Sequence, residues 1–226
     1  MTEKITLVCL PFAGAGASAF GHWQALAGDE VDVRPVRLPG RERRIDEEPY
    51  RDVRTAVEGL LPDVTGSRVA LFGHSLGAVL AYELAVALQD TTEVLALFAS
   101  GSPRPGDPRA DRATGLPDDE FLARVAGFAG VTHEALDDPE MREMVLPTLR
   151  ADVEMHENYL PSTESGLAVP VVAVRGEDDD LVTYEQAESW SKVAAGRFEH
   201  VELPGGHMYL AEHAPALVRL ITATLL

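Results

Sequence analysis

The chain has 226 residues, of which 46% are hydrophobic and 25% are charged, and this composition is typical of a globular domain rather than of a disordered or fibrous protein. The 37 acidic and 19 basic side chains give a formal net charge of −18, which repels nucleic acid and anionic membrane surfaces. No apolar run reaches the ~18 residues that a membrane-spanning helix needs, so we expect a cytoplasmic protein with no nucleic-acid or membrane partner. The single cysteine, Cys9, excludes an intramolecular disulfide and lies in an apolar run that predicts a buried hydrophobe rather than a catalytic thiol.

Short apolar runs alternate with longer segments of helical periodicity along the chain. This alternation predicts an α/β fold with a mostly parallel central sheet and helices on both faces. The predicted strands cover residues 5–10, 31–36, 69–72, 94–99, 169–174 and 198–203. The predicted helices cover residues 19–26, 52–61, 78–89, 184–194 and 214–225.

One stretch, residues 102–166, interrupts the alternation. It contains no convincing strand and opens with a proline-rich segment. Apolar residues recur at spacings of three and four over 118–128 and 139–149, as expected for helices that pack one face. We therefore predict a helical insertion within one domain that spans residues 1–226.

A Gly-His-Ser-Leu-Gly pentapeptide occupies residues 73–77. It follows an apolar strand and precedes an apolar helical segment, and this order of strand, sharp turn and helix is typical of the nucleophile elbow of α/β-hydrolases. Glycines two residues before and after the serine allow the close backbone approach that the turn needs. We predict Ser75 as the nucleophile; the alternative is a glycine-rich turn with an inert serine.

A serine nucleophile needs a base and an acid, which follow it in this fold in the order acid, then histidine. His207 is the best candidate for the base, because it lies in a Gly-Gly-His turn directly after a predicted strand. The remaining histidines after Ser75 are predicted to be solvated or hydrogen-bonded locally; they are His133, His156, His200 and His213. His22 and His74 precede the serine, and His74 is expected to shape the turn.

The acid is predicted in the loop after the strand at 169–174, where four acidic residues follow one another at 177–180. The spacing Gly-x-x-Asp-x-x-Val favours Asp179, with Asp178 as the next choice. The other acidic residues of the loop are predicted to be solvated.

An oxyanion hole needs two preorganised backbone amides. Leu76, which follows the nucleophile, is predicted to supply the first, and Ala13, in the small-residue loop after the first strand, the second, with Phe12 as the alternative. The same loop lacks the lysine of a phosphate-binding loop and the spacing of a dinucleotide-binding one. We expect neither a cofactor nor a metal ion.

Five segments together resemble the type II thioesterases of polyketide and nonribosomal peptide assembly lines. They are residues 11–16 (Pro-Phe-Ala-Gly-Ala-Gly), 38–44 (Leu-Pro-Gly-Arg-Glu-Arg-Arg), the elbow at 73–77, 149–152 (Leu-Arg-Ala-Asp) with Tyr159, and 205–207 (Gly-Gly-His). The resemblance implies hydrolysis of aberrant or stalled acyl groups from the phosphopantetheine arm of an acyl or peptidyl carrier protein. It also implies a helical lid, with Ser75, Asp179 and His207 as the triad.

Four arginines cluster early in this acidic chain: Arg37, Arg41, Arg43 and Arg44. Arg41, Arg43 and Arg44 are predicted to hold the pantetheine phosphate or an acidic carrier surface; the alternative is a solvated face with local salt bridges. Two other functions stay open, an esterase for free small molecules and a non-catalytic binding protein of the same fold. For the oligomeric state, we favour a monomer.

Overall fold

The computed structural model describes residues 4–107, 112–129, 138–163 and 165–226. The strands within these ranges are β1 (Ile5–Leu10), β2 (Val31–Pro35), β3 (Arg68–His74), β4 (Glu93–Ser100), β5 (Val171–Gly176) and β6 (Phe198–Leu203). They form one sheet in the order β2-β1-β3-β4-β5-β6, and every neighbouring pair is parallel. The predicted α/β class with a parallel sheet is confirmed.

The helices are α1 (Trp23–Ala27), α2 (Val53–Leu60), α3 (Leu76–Leu88), α4 (Asp118–Ala129), α5 (Pro139–Glu157), α6 (Tyr184–Glu188), α7 (Tyr209–Glu212) and α8 (Ala214–Leu225). None of the helices described is both long enough and apolar enough to cross a membrane.

Helices cover both faces of the sheet, as predicted. In β1, Ile5, Leu7 and Cys9 point into an apolar cluster that includes α1 and α8, whereas Val8 and Leu10 point into a second cluster with α2 and α3. This alternation follows from the two-residue period of a strand. The Cys9 thiol is fully buried, and burial raises its pKa, which confirms that it is a core residue.

Several predicted boundaries were wrong, because local turns interrupt the periodic segments. The helix predicted over 19–26 is a 3₁₀ turn, Ala17–Phe20, followed after Gly21 by α1. The helix predicted over 184–194 is α6 followed by a 3₁₀ turn. The strand predicted over 169–174 begins at Val171, after Pro170, which has no amide hydrogen to donate to a ladder.

Helices α4 and α5 lie between β4 and β5, where the insertion was predicted. Helix α5 continues to Glu157, eight residues beyond the predicted end at 149, because the face formed by Leu146, Leu149 and Val153 stays buried. After α5, the buried carboxylate of Glu83 on α3 accepts hydrogen bonds from Tyr159 Oη at 2.6 Å and the Ser162 amide at 2.9 Å. These contacts hold the end of the insertion against the nucleophile helix.

Candidate active site

Ser75 lies between the last residue of β3 and the first residue of α3. Its backbone has φ 53° and ψ −115°, a conformation that residues with a side chain rarely adopt. Two hydrogen bonds hold it, from the Ser75 amide to the Ser100 carbonyl at 2.8 Å and from the Ala78 amide to the Ser75 carbonyl at 3.0 Å. The strained turn is thus fixed to the end of β4.

The two glycines of the elbow are required by close backbone contacts. A Cβ atom at Gly73 would overlap the carbonyl of Gly77, and one at Gly77 would overlap the carbonyls of Leu10 and Pro11. The sharp turn therefore packs directly against the end of β1, where the loop containing Ala13 begins.

His207 and Asp179 are joined by a hydrogen bond of 2.9 Å between Nδ1 and Oδ2. Because a carboxylate only accepts, Nδ1 carries the hydrogen and Nε2 is left as a proton acceptor. The second carboxylate oxygen of Asp179 accepts from the amides of Leu181 at 2.9 Å and Val182 at 3.1 Å. The Asp179 side chain is fully buried, whereas Asp178 is exposed, so the geometry favours Asp179 over Asp178 as the acid.

The loops that carry Asp179 and His207 are held against each other. The Glu177 amide donates to the Leu203 carbonyl at 2.8 Å, and the Asp178 amide donates to the Gly205 carbonyl at 3.0 Å. These loops follow β5 and β6, as the elbow follows β3. The carboxyl ends of parallel strands lie at one edge of a sheet, which therefore carries all three predicted triad residues.

The ring of His74 lies beside that of His207, with 4.9 Å between ring centroids. A chain of hydrogen bonds runs from His74 Nδ1 to Ser100 Oγ at 2.8 Å, from Ser100 Oγ to Tyr209 Oη at 2.5 Å, and from Tyr209 Oη to the Val174 carbonyl at 3.1 Å. The carbonyl only accepts, so Tyr209 donates to it, Ser100 donates to Tyr209, and His74 Nδ1 donates to Ser100.

This arrangement puts a hydrogen on Nδ1 of His74, and burial keeps the ring neutral. Burial lowers the pKa of His74 well below the usual 6.5, and the nearby His207 lowers it further. Burial also raises the pKa of the Tyr209 hydroxyl, so this chain carries no charge at neutral pH. Neither Ser100 nor Tyr209 was predicted from the sequence to belong to the site. The one feature that could have indicated Tyr209 is its position two residues after His207.

The two amides predicted to form the oxyanion hole belong to the segments that meet where Gly77 packs against the end of β1. Leu76 is the first residue of α3, where an amide hydrogen has no acceptor inside the helix. Ala13 is the second residue of a turn that is closed by a 3.0 Å hydrogen bond from the Ala15 amide to the Phe12 carbonyl. Gly14, with φ +78°, supplies the positive φ in this turn.

The structure does not bring the three predicted carrier-binding arginines together on one surface. Arg41, which was predicted to hold the pantetheine phosphate or an acidic carrier surface, is only 8% exposed and pairs with Asp152 through two hydrogen bonds. Arg44 pairs with Glu47, which is the alternative that the sequence left open. Arg43 is exposed, and none of the ion pairs among the described residues includes it.

The structure describes four further histidines, of which His213 lies beside Gly205 in the loop that carries His207. His200 lies within β6 and contacts Glu188 at 3.1 Å, His156 is buried in α5, and His213 precedes α8. His22 is exposed before α1, and His133 falls outside the described residues. The part of the chain that the structure describes contains no group of three or more His, Cys, Asp or Glu residues that could hold a metal ion.

Comparison with known proteins gives consistent matches along the whole chain. The family model described as a thioesterase domain matches residues 5–225. The gramicidin S biosynthesis protein GrsT of Aneurinibacillus migulanus is 34% identical over 215 residues, which cover 92% of this chain and 84% of GrsT.

Solved structures agree with this match. The type II thioesterase BorB of the borrelidin biosynthetic cluster superimposes with a TM-score of 0.89 at 33% identity, over 100% of this chain and 94% of BorB. The RedJ thioesterase of prodiginine biosynthesis in Streptomyces coelicolor gives a TM-score of 0.89 at 32% identity, over 99% of this chain and 91% of RedJ.

Proposed function

Because the chain belongs to the thioesterase family, we propose that it releases acyl groups from the phosphopantetheine arm of acyl or peptidyl carrier proteins. Ser75 is the nucleophile, His207 the base and Asp179 the acid of this proposal. The relatives GrsT and BorB carry names from biosynthetic clusters, and their similarity supports removal of aberrant or stalled acyl groups as the role. The enzyme is thus a thioesterase for which we propose a carrier-bound substrate.

The observation that carries the proposal is the hydrogen bond between His207 and Asp179 at the sheet edge that also carries Ser75. The carboxylate fixes the imidazole with its hydrogen on Nδ1, so that Nε2 can accept the hydroxyl proton of the serine. Asp179 remains an acceptor throughout, because the amides of Leu181 and Val182 also donate to it.

The reaction follows in two stages. In the first, Ser75 Oγ attacks the thioester carbonyl while His207 Nε2 takes its proton; the C–S bond then breaks, and the pantetheine thiol leaves with that proton. In the second stage, His207 takes a proton from water, the hydroxide attacks the acyl-enzyme ester, and the free acid leaves as Ser75 regains its hydrogen. The amides of Leu76 and Ala13 stabilise the oxyanion of both tetrahedral intermediates.

Thioesters suit this site because of their leaving group. A thiol has a pKa of about 8.5, so a thiolate departs with less help from a general acid than the nitrogen of an amide needs. His207 must therefore mainly activate Ser75 and then water. The neutral His74 beside it adds no positive charge that would oppose formation of the imidazolium.

Among the three arginines predicted to bind the carrier, Arg43 is the one that is exposed and not held in an ion pair among the described residues. It lies in the segment 41–44, whose neighbours Arg41 and Glu42 contact the loop after β1. The two residues that precede Arg43 are thus bonded to the loop that contains Ala13, which supports the proposal that Arg43 meets the carrier near this loop. An acidic carrier surface or the pantetheine phosphate is the complementary partner.

The proposal is tested by measuring acyl release from a panel of loaded carrier proteins and, in parallel, hydrolysis of p-nitrophenyl esters with matched acyl chains. We expect a higher kcat/KM for the carrier-bound thioesters. A preference for the free esters would instead indicate an esterase for small molecules. If neither substrate is turned over and a fluorophosphonate probe fails to label Ser75, the chain is a non-catalytic member of the family.

A further inference from the structure

Two segments that mark the family resemblance, 38–44 and 149–152, contribute no residue to the proposed triad, yet they meet in the structure. Arg41 Nη1 lies 2.6 Å from Asp152 Oδ2, and Arg41 Nη2 lies 2.8 Å from Asp152 Oδ1. The side chains of Arg41 and Asp152 are 9% and 1% exposed. This buried pair joins the segment after β2 to the middle of α5.

The same side chains bind the backbone of the loop after β1. Asp152 Oδ2 also accepts from the Gly14 amide at 2.8 Å, and Arg41 Nη1 also donates to the Ala15 carbonyl at 2.8 Å. The carboxylate of Glu42 accepts from the amides of Ala17 at 3.1 Å and Ser18 at 2.9 Å. We call Arg41, Glu42 and Asp152 the loop clamp, because together they bind four backbone groups between residues 14 and 18.

The loop clamp acts next to the proposed oxyanion donor. Ala13 is followed directly by Gly14, whose amide is held by Asp152. Leu149 of α5 also lies close to Gly14, at 3.0 Å from where a Cβ would be. The turn that contains Ala13 is therefore bonded to α5 and to Arg41 through the two residues that follow Ala13. An oxyanion donor must be placed to within a few tenths of an ångström to be effective.

A buried ion pair is a poor means of stabilising a fold, because the cost of removing both charges from water offsets their attraction, and apolar side chains of similar size often serve as well. A guanidinium and a carboxylate, however, can bind backbone amides and carbonyls, which apolar side chains cannot. The residue types of the loop clamp therefore favour positioning of the loop over packing alone.

We propose that Arg41, Glu42 and Asp152 are positioning residues that hold the Ala13 amide in place for the oxyanion, so that helix α5 of the insertion is part of the catalytic apparatus. This rests on the proposed function, in which Ala13 is an oxyanion donor. Loss of the clamp should lower kcat, since the contact is used in the transition state, and leave KM nearly unchanged.

The test compares Arg41→Met, Asp152→Leu and the double variant with the wild type, using an acyl N-acetylcysteamine thioester as substrate. Each single variant leaves a buried charge without its partner, so its unfolding midpoint should fall. The double variant should recover part of the midpoint, because both charges are gone although the Gly14 amide and the Ala15 carbonyl have lost their partners. Its kcat should stay about 10- to 100-fold below wild type with a similar KM. A double variant with the midpoint and the kcat of the wild type would overturn the proposal.

Glu42→Ala provides a second test that does not depend on the buried pair, because Glu42 is exposed and the variant should fold. We expect its kcat to fall several-fold and its KM to stay near wild type; an unchanged kcat would count against the clamp. The matched controls are Glu48→Ala, for an exposed glutamate six residues after Glu42, and Glu154→Ala, which removes the exposed pair between α5 and Arg51. Both should retain the wild-type kcat.

Failure of the clamp and failure of the proposed function give different results. If Ser75→Ala still releases the acyl group, the proposed function fails whatever the clamp variants do. If Ser75→Ala is inactive and the clamp variants keep the wild-type kcat, only the positioning role is wrong.

Discussion

The imidazole rings of His74 and His207 lie 4.9 Å apart between centroids, and only His207 is paired with a carboxylate. His74 donates instead to the hydroxyl of Ser100, which belongs to an uncharged chain that ends at the backbone. The two neighbouring histidines therefore have different properties. One can accept a proton during catalysis, and the other is kept neutral beside it.

The neutral state of His74 predicts a dependence of stability on pH. Burial lowers the pKa of His74 in the folded state well below its unfolded value of 6.5, so at lower pH the unfolded chain binds more protons than the folded one. The free energy of unfolding should therefore decrease as pH falls below about 6.5. A variant with His74→Gln cannot titrate at this position and should show a weaker decrease between pH 6.5 and 5. Equal slopes for both proteins, measured by urea unfolding, would show that His74 does not contribute.

Asp179 is buried and its neighbour Asp178 is exposed. The same substitution should therefore lower kcat at Asp179 and leave it nearly unchanged at Asp178. Asp179→Asn removes the acceptor that fixes His207 and should lower kcat by about 10³- to 10⁴-fold. Asp178→Asn changes an exposed side chain and should leave kcat within about twofold of wild type. Steady-state hydrolysis of an acyl thioester distinguishes the two, and the reverse result would assign the acid to Asp178.

Gly77 and Gly127 allow a matched test of the elbow. A methyl group at Gly77 would overlap the backbone carbonyls of Leu10 and Pro11, whereas the same group at Gly127, in α4, meets no atom within 4 Å. We expect Gly77→Ala to lower the free energy of unfolding by about 3 kcal/mol and to abolish activity. Gly127→Ala should instead stabilise the protein by up to about 1 kcal/mol, through helix propensity. Denaturant unfolding checks both values; an active and stable Gly77→Ala protein would contradict the described turn.

The exposed charge of Arg43 leads to a prediction about how the enzyme distinguishes a carrier-bound thioester from a free one. Arg43→Glu should raise KM for an acyl carrier protein by about 5- to 10-fold, equivalent to about 1 kcal/mol, and should leave KM for acyl N-acetylcysteamine unchanged. Arg54→Glu reverses the charge of another exposed arginine, on α2, and serves as the control. Equal effects of the two variants would show that only the overall charge matters, and a change for the free thioester would place Arg43 at the acyl site.

Much of the fold could be predicted because each strand and each amphipathic helix has a local signal in the sequence. The elbow is local as well, since residues 73–77 contain both the nucleophile and the glycines that the turn requires. His207 could be predicted as the base because it follows an apolar strand. The spacing in the sequence favoured Asp179 over Asp178. In the structure the two residues differ in burial, because the loops after β5 and β6 pack together and bury the side chain of Asp179.

The contacts that could not be predicted from the sequence are those between segments that are far apart along the chain. Arg41 and Asp152 are 111 residues apart in the sequence. Because Arg41 lies close to three other arginines in an acidic chain, the sequence alone suggests that all four belong to a basic surface patch. Only folding shows that one of the four is buried and bound to α5, whereas Arg43 stays exposed. In the same way, the hydrogen bonds that begin at His74 Nδ1 join β3, β4 and β5 to Tyr209, which follows β6, and no local pattern connects these segments.

The role proposed for Ser75 is to take the acyl group from a carrier-bound thioester. Its most direct test is a rapid-quench experiment in which enzyme is mixed with carrier protein bearing a radiolabelled acyl group, and the label on the enzyme is followed by peptide mass spectrometry. We predict that label appears transiently on the peptide containing Ser75 before free acid is released, and that Ser75→Ala neither acquires label nor releases acid above background. Release of acid by Ser75→Ala at the wild-type rate, or label on any other residue, would contradict the account.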